Sequence, residues 1–190
     1  MSFTDPSKTT ILIHEFFWFN VMKGYYRNFV DSIVLDGDEK VLDFGCGPGA
    51  ASKFIALRLE KGGGELTCFD ISEKWISRAK KRLRRFSNVG YYAEDIRTWR
   101  EKDEYFDTVL IHIMLHDIPE SERADVVKAL AQKMKPGASL IIREPTKEGH
   151  GIRPEEIEEL MTNNNLEQRS SETAKRAFMG TLFTGIFRKV

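Results

Sequence analysis

Residues 41–50, VLDFGCGPGA, constrain the fold of this chain more than any other stretch. An apolar run too short for a helix carries an acid, Asp43, near its end and breaks at Gly45, Gly47 and Gly49 before helix-forming residues resume. Glycine reaches backbone angles that other residues avoid and lets backbone N–H groups approach a ligand closely. A strand, a tight glycine turn and a helix in succession open a βαβ unit, so a parallel sheet is expected.

The rest of the chain repeats that alternation. Short apolar runs at 41–44, 66–69, 89–93, 108–113 and 139–142 read as five strands, each bounded by Gly, Asp or Pro. Between them, Trp75, Ala79, Leu83 and Phe86 recur at helical spacing, as do Ala124, Val127, Leu130 and Met134 before Pro136 and Gly137 end that element. Pro154 opens a further acidic helix, and residues 166–173 and 181–189 form an antiparallel hairpin. The predicted fold class is α/β: a seven-stranded, mostly parallel sheet with helices on both faces and a C-terminal antiparallel hairpin.

Composition excludes several classes of function. At 190 residues one domain is the simplest organisation, and 41% hydrophobic with 31% charged residues suits a packed core. Twenty-nine basic residues balance twenty-nine acidic ones, so no bulk field is available for nucleic acid or anionic membrane. The basic run Lys80, Lys81, Arg82, Arg84 and Arg85 alternates around an apolar stripe as a solvated helix face does, which argues against nucleic acid as a partner. Cys46 and Cys68 belong to no CxxC pair or His-rich cluster; they read as reduced core thiols in a cytoplasmic protein, with no metal site. The N-terminal residues lack a basic export region, and the apolar stretch 11–19 is interrupted by His14 and Glu15 and too short to span a bilayer, so no membrane association is expected.

By spacing, the glycine segment also satisfies GxGxxG/A with Ala50 in the last place, which admits a nicotinamide or flavin enzyme. Asp43 argues against that reading, because a carboxylate there repels a pyrophosphate and suits an ammonium or sulfonium group. DFGCGPG resembles the first motif of the class I, Rossmann-like S-adenosylmethionine-dependent methyltransferases, and the resemblance extends over roughly residues 40–144. It implies an enzyme that binds S-adenosyl-L-methionine, with S-adenosyl-L-homocysteine as product, through Asp43, Gly45, Cys46, Gly47 and Gly49. Asp70, at the end of the second strand, is implied to take the ribose hydroxyls, although on its own it also suits a helix cap in DISEKW. Ile71 would then lie against adenine, Asp95 would accept from the adenine amino group with Glu94 as the alternative, and Ile96 would pack on the ring. His112 aligns with the position lining the methionine arm. His116 is the candidate general base on the acceptor side, and a histidine satisfied by backbone is the structural alternative.

No NPPY-like sequence, cysteine nucleophile or paired-glutamate loop follows the fourth strand, which disfavours base or arginine methylation. The expected acceptor is a small molecule; a protein or RNA acceptor, or a domain that binds cofactor without catalysis, remains the alternative. The expected organisation is a single domain over 1–190, with an N-terminal helical lid or cap at 1–36, a cofactor core at 37–144 and the final helix and hairpin at 145–190. Phe16, Phe17, Trp18 and Phe19 are consecutive and point around a whole helix circumference, so residues 11–26 are expected to close over the site, with Tyr25 or Tyr26 orienting a polar group. The oligomeric state is not legible in the sequence.

Overall fold

The computed structural model describes residue 19 and residues 21–147, 149–176 and 178–190. Phe16, Phe17 and Trp18, and with them most of the expected lid, lie outside the described residues. The chain divides into two compact units, Met1–Asp95 and Ile96–Val190.

In the first unit, α1 (Lys23–Asp31) precedes β1 (Lys40–Phe44), α2 (Ser52–Leu59), β2 (Glu65–Asp70), α3 (Glu73–Leu83) and β3 (Val89–Ala93). The three strands pair in parallel, with Asp43 opposite Cys68 and Cys68 opposite Tyr91. Val41 and Leu42, neighbours that point to opposite faces of the sheet, are both buried, as are Leu66 and Phe69, together with Ile55, Ala56 and Leu59 of α2 and Ile76, Ala79 and Leu83 of α3. The stripe on α3 therefore runs through Ile76, whereas Trp75, expected there, is half-exposed. Arg82 also departs from a purely solvated face: its Nε donates to Pro48 O at 3.2 Å, and its guanidinium stacks over the Phe19 ring.

In the second unit, β4 (Phe106–His112) leads through a 3-10 turn (Leu115–Asp117) into α4 (Glu120–Lys133), β5 (Met134–Pro145), α5 (Pro154–Thr162), β6 (Leu166–Arg176) and β7 (Gly180–Lys189). β4 and β5 are parallel, while β7 runs antiparallel to both β5 and β6, as expected of the terminal hairpin. The boundary between α4 and β5 differs from expectation. Met134 begins the strand rather than closing the helix, and Pro136 and Gly137 sit in a register shift between the pairs Phe106–Met134 and Thr108–Ser139. A bulge tolerates a residue with no N–H and a glycine at φ 77°, so the Pro-Gly pair interrupts a ladder here instead of ending a helix. Ala124 is exposed, and Val126, Val127, Ala129 and Leu130 carry the buried face of α4.

The seven strands form one sheet in the order β3-β2-β1-β4-β5-β7-β6. No helix among the described residues is long and apolar enough to cross a membrane.

The second unit also buries a cation. Lys133 is 3% exposed, and its Nζ donates to Trp99 O at 2.8 Å and Glu101 O at 2.9 Å and pairs with Asp103. Removing that ammonium takes a donor from each of two carbonyls, while Asp103, largely exposed, returns to water. Lys133→Met is expected to cost about 2 kcal/mol, lowering the melting temperature by roughly 4–8 °C. Thermal and urea unfolding check it, and an unchanged midpoint would show the ammonium to be dispensable.

Candidate active site

The carboxyl end of the first unit's sheet gathers two acids around the glycine turn. Asp43 is 2% exposed, and its Oδ2 accepts from Ser52 Oγ at 2.5 Å. Burial, with a smaller contribution from the Asp70 charge and against the Ser52 hydrogen bond, raises Asp43 to about 6. A carboxylate held this far from water is poised to prefer a cationic partner. Asp70 lies on the neighbouring strand, where its Oδ2 accepts from Gly47 N and its Oδ1 from Ser72 N, each at 2.9 Å. Burial raises its pKa as well, and the two N–H donors oppose the rise. Ser72, not Asp70, is the N-cap of α3, since its Oγ accepts from Trp75 N.

The turn between these acids is built to stay put. Gly45 N and Cys46 N both donate to Phe69 O, at 2.8 and 3.1 Å. Gly45, Gly47 and Gly49 have φ values of 71°, 52° and 84°. At Gly49 a Cβ would meet Leu83 Cδ1 at 3.4 Å and Ala79 at 3.6 Å, ordinary contact distances, so the positive φ rather than crowding against α3 is what calls for glycine. Cys46 is buried, and burial with the neighbouring Cys68 holds its thiol well above its usual pKa; both cysteines are free. Tyr26 of α1 is buried too, and its hydroxyl is pushed up by burial, by Tyr25 and by the Asp43 charge.

Ile71, 54% exposed, follows Asp70 and leaves a bare apolar surface beside it. Asp95 is half-buried just beyond β3 and Glu94 is exposed. Ile96 opens the second unit and is buried. The structure thus joins Asp70 to the glycine turn directly and sets Asp43 within reach of its charge, with Ile71 and Asp95 just beyond the ends of β2 and β3.

In the second unit, His112 ends β4. Burial and the Arg143 charge on the adjacent strand depress it to about 3, so it is neutral near pH 7. Ile113 then takes φ 54°, an unusual conformation for a β-branched residue, with its N–H bonded to Arg143 O at 2.7 Å. Glu144, fully buried at the end of β5, holds the turn that follows. Its Oε1 accepts from Met114 N at 2.8 Å and Leu115 N at 2.7 Å, and its Oε2 is 2.6 Å from His116 Nδ1. His116 is therefore held by a carboxylate rather than by backbone. Among the described residues no group of three or more His, Cys, Asp or Glu could hold a metal ion.

A family model described as a methyltransferase domain matches residues 41–137, just over half of the chain. The chain belongs to the methyltransferase domain family. The match begins at β1 and takes in the glycine turn, both acids and the turn carrying His116. This methyltransferase domain is 28% identical over 140 residues to the ubiquinone/menaquinone biosynthesis C-methyltransferase UbiE of Yersinia enterocolitica, covering 72% of this chain and 54% of that protein. It thus spans about half the length of the curated relatives it matches. Among solved structures it superposes on the 1,6-didemethyltoxoflavin-N1-methyltransferase of Burkholderia thailandensis with a TM-score of 0.75 at 15% identity, covering 96% of this chain and 86% of that one. It also superposes on the [4+2]-cyclase SpnF with a TM-score of 0.72 at 16% identity, covering 98% and 97%. These likenesses establish a class I, Rossmann-like fold.

The sequence did not show that Ser52 donates to Asp43 or that Glu144 accepts from Met114 N, Leu115 N and His116 Nδ1. Glu144 had a visible signal, since it is an acid closing an apolar strand, as Asp43 and Asp70 are. Ser52 carried none beyond its place at the start of a helix.

Proposed function

We propose that this chain transfers the methyl group of S-adenosylmethionine to a small-molecule acceptor in the cytoplasm by in-line displacement. The observation that carries the reading is the pair of buried carboxylates, Asp43 and Asp70, on adjacent strands either side of a rigid glycine turn. That donor and acceptor set fits a zwitterionic amino acid and a diol and opposes a pyrophosphate. In this reading Asp43 faces the ammonium or sulfonium side of the ligand, and Asp70 accepts from the ribose hydroxyls. Ile71 and Ile96 take the adenine faces, Asp95 takes the amino group and His112 lines the methionine arm.

S-adenosylmethionine supplies a methyl group on a sulfonium whose leaving group departs neutral. The protein's work is then to align, to bind and to exclude water. A small acceptor is supported by the names of a similar C-methyltransferase of ubiquinone/menaquinone biosynthesis and of a structural neighbour, a 1,6-didemethyltoxoflavin-N1-methyltransferase. The experiment is incubation of the pure protein with methyl-labelled S-adenosylmethionine and fractionated extract of its source. Label in the low-mass fraction is expected. Label only in protein or RNA overturns the acceptor class, and cofactor binding without label in any fraction overturns catalysis.

The Asp43 carboxylate gives this reading a pH signature. A cationic ligand favours the ionised acid, and that form is lost as pH falls through about 6. Affinity for S-adenosylhomocysteine is expected to be flat between pH 7 and 8 and to fall by up to about tenfold per pH unit below 6. Asp43→Asn should bind weakly and lose that dependence. Calorimetry across pH decides it, and a wild-type affinity unchanged at pH 5 would remove Asp43 from the ligand.

A further inference from the structure

The turn after β4 is fastened by side chains from β5 and α4. Glu144 spends both oxygens on it, receiving Met114 N, Leu115 N and His116 Nδ1. From α4, Arg123 donates through Nη2 to His116 O at 3.3 Å and through Nε to Ile118 O at 3.0 Å, and its Nη1 is anchored by Glu156 of α5 at 2.6 Å. His150, on the loop after β5, meets the His116 ring edge-on at 5.1 Å. The remaining ring nitrogen, His116 Nε2, has among the described residues a single, longer contact of 3.3 Å with Oδ1 of the partly exposed Asp117. A buried carboxylate that fixes one imidazole nitrogen and leaves the other weakly engaged is the arrangement of an oriented base.

We propose that Glu144 is a positioning residue for His116, and that His116 Nε2 takes the proton of an acceptor bearing an acidic hydroxyl, a phenol or enol. The inference rests on the methyltransferase reading above and names the acceptor class within it. A neutral amine offers its lone pair directly and a thiolate is already anionic, so neither needs such a base; a hydroxyl becomes a strong nucleophile only as it loses its proton. In the step, the acceptor O–H bond breaks and the proton moves to Nε2. The electron pair released forms the new bond to methyl at oxygen, or at the carbon conjugated with it. The methyl–sulfur bond breaks with its pair retained by sulfur. In the carbon case the ring or enol carbon then gives up its own hydrogen as a proton to water. Asp117, beside Nε2 and partly exposed, passes the proton held on His116 to solvent.

The electrostatics agree with this geometry. Burial opposes a charge on His116, but the Glu144 hydrogen bond and the charges of Glu144 and Asp117 outweigh it despite Arg123, so the imidazole titrates above its usual 6.5. Fixing Nδ1–H toward Glu144 also sets the neutral tautomer that leaves Nε2 able to accept.

Histidine-selective 15N NMR of the protein saturated with S-adenosylhomocysteine tests the proposal, with His116→Gln assigning the signal. In wild type the neutral ring is expected to carry its proton on Nδ1. In Glu144→Gln the His116 midpoint is expected to fall by about one pH unit, as the loss of a charge at hydrogen-bond distance implies. The acid limb of kcat for methyl uptake from extract is expected to move with it, and Asp117→Asn to shift it less. A folded Glu144→Gln protein with an unmoved midpoint and acid limb, or a neutral ring protonated on Nε2, overturns the proposal even if melting temperature and kcat fall, because those changes alone report a structural role. A product methylated on nitrogen or sulfur also overturns it. Failure of wild type to bind S-adenosylhomocysteine defeats the underlying methyltransferase reading instead, so the two failures are distinguishable.

Discussion

Asp70→Ala is expected to bind S-adenosylhomocysteine at least a hundredfold more weakly than wild type. In the proposed complex the carboxylate accepts from two ribose hydroxyls, and hydrogen bonds to a charged group contribute about 1.5–3 kcal/mol. The same carboxylate fixes the glycine turn through Gly47 N and α3 through Ser72 N, so its removal also loosens the loop that must meet the ligand. Together the losses reach about 3 kcal/mol of affinity, a little over a hundredfold. Calorimetry reads it directly. Asp70→Asn, which keeps an acceptor oxygen but no charge, should fall between the two. An Asp70→Ala affinity within twofold of wild type would leave Asp70 with only its role in holding the turn.

The largest effect on stability is expected from Glu144→Leu. Leucine leaves Met114 N, Leu115 N and His116 Nδ1 without their acceptor beside a backbone already strained at Ile113. A loss of about 3–5 kcal/mol follows from stranding buried donors, of which one is a histidine that charges. The loss depends on pH with a definite sign. His116 titrates higher folded than unfolded, so its pairing with Glu144 stabilises fully below 6.5 and fades as pH rises through the folded pKa. The gap between wild type and variant should therefore be wider at pH 6 than at pH 9. Urea unfolding at both values checks it, and a gap that widens with pH would contradict the assigned pairing.

The sheet was legible because each strand is a short apolar run closed by a polar residue, and the two acids of the first unit stand where such runs end. The glycine turn was legible for the same local reason. What stayed hidden depends on pairings distant in sequence. Glu144 reaches His116 across 28 positions and Arg82 reaches Pro48 across 34, and neither partnership leaves a periodic trace. Glu144 closes β5 as Asp43 closes β1, yet it sits in a segment that reads as fold rather than chemistry until its three donors are seen. The α4–β5 boundary was misread because Pro-Gly ends helices more often than it fills bulges. Trp75 and Ala124 were misplaced by a fraction of a helical turn, since Ile76 and Val126 offered equally apolar alternatives.

The central claim is that the two buried carboxylates and the glycine turn form a site for S-adenosylmethionine. Titration calorimetry of the wild-type chain at pH 7.5 with S-adenosylhomocysteine and, separately, with NAD tests it most directly. Saturable one-to-one binding of S-adenosylhomocysteine is expected, with no measurable heat from NAD at the same concentrations. Tighter binding of NAD than of S-adenosylhomocysteine would contradict it.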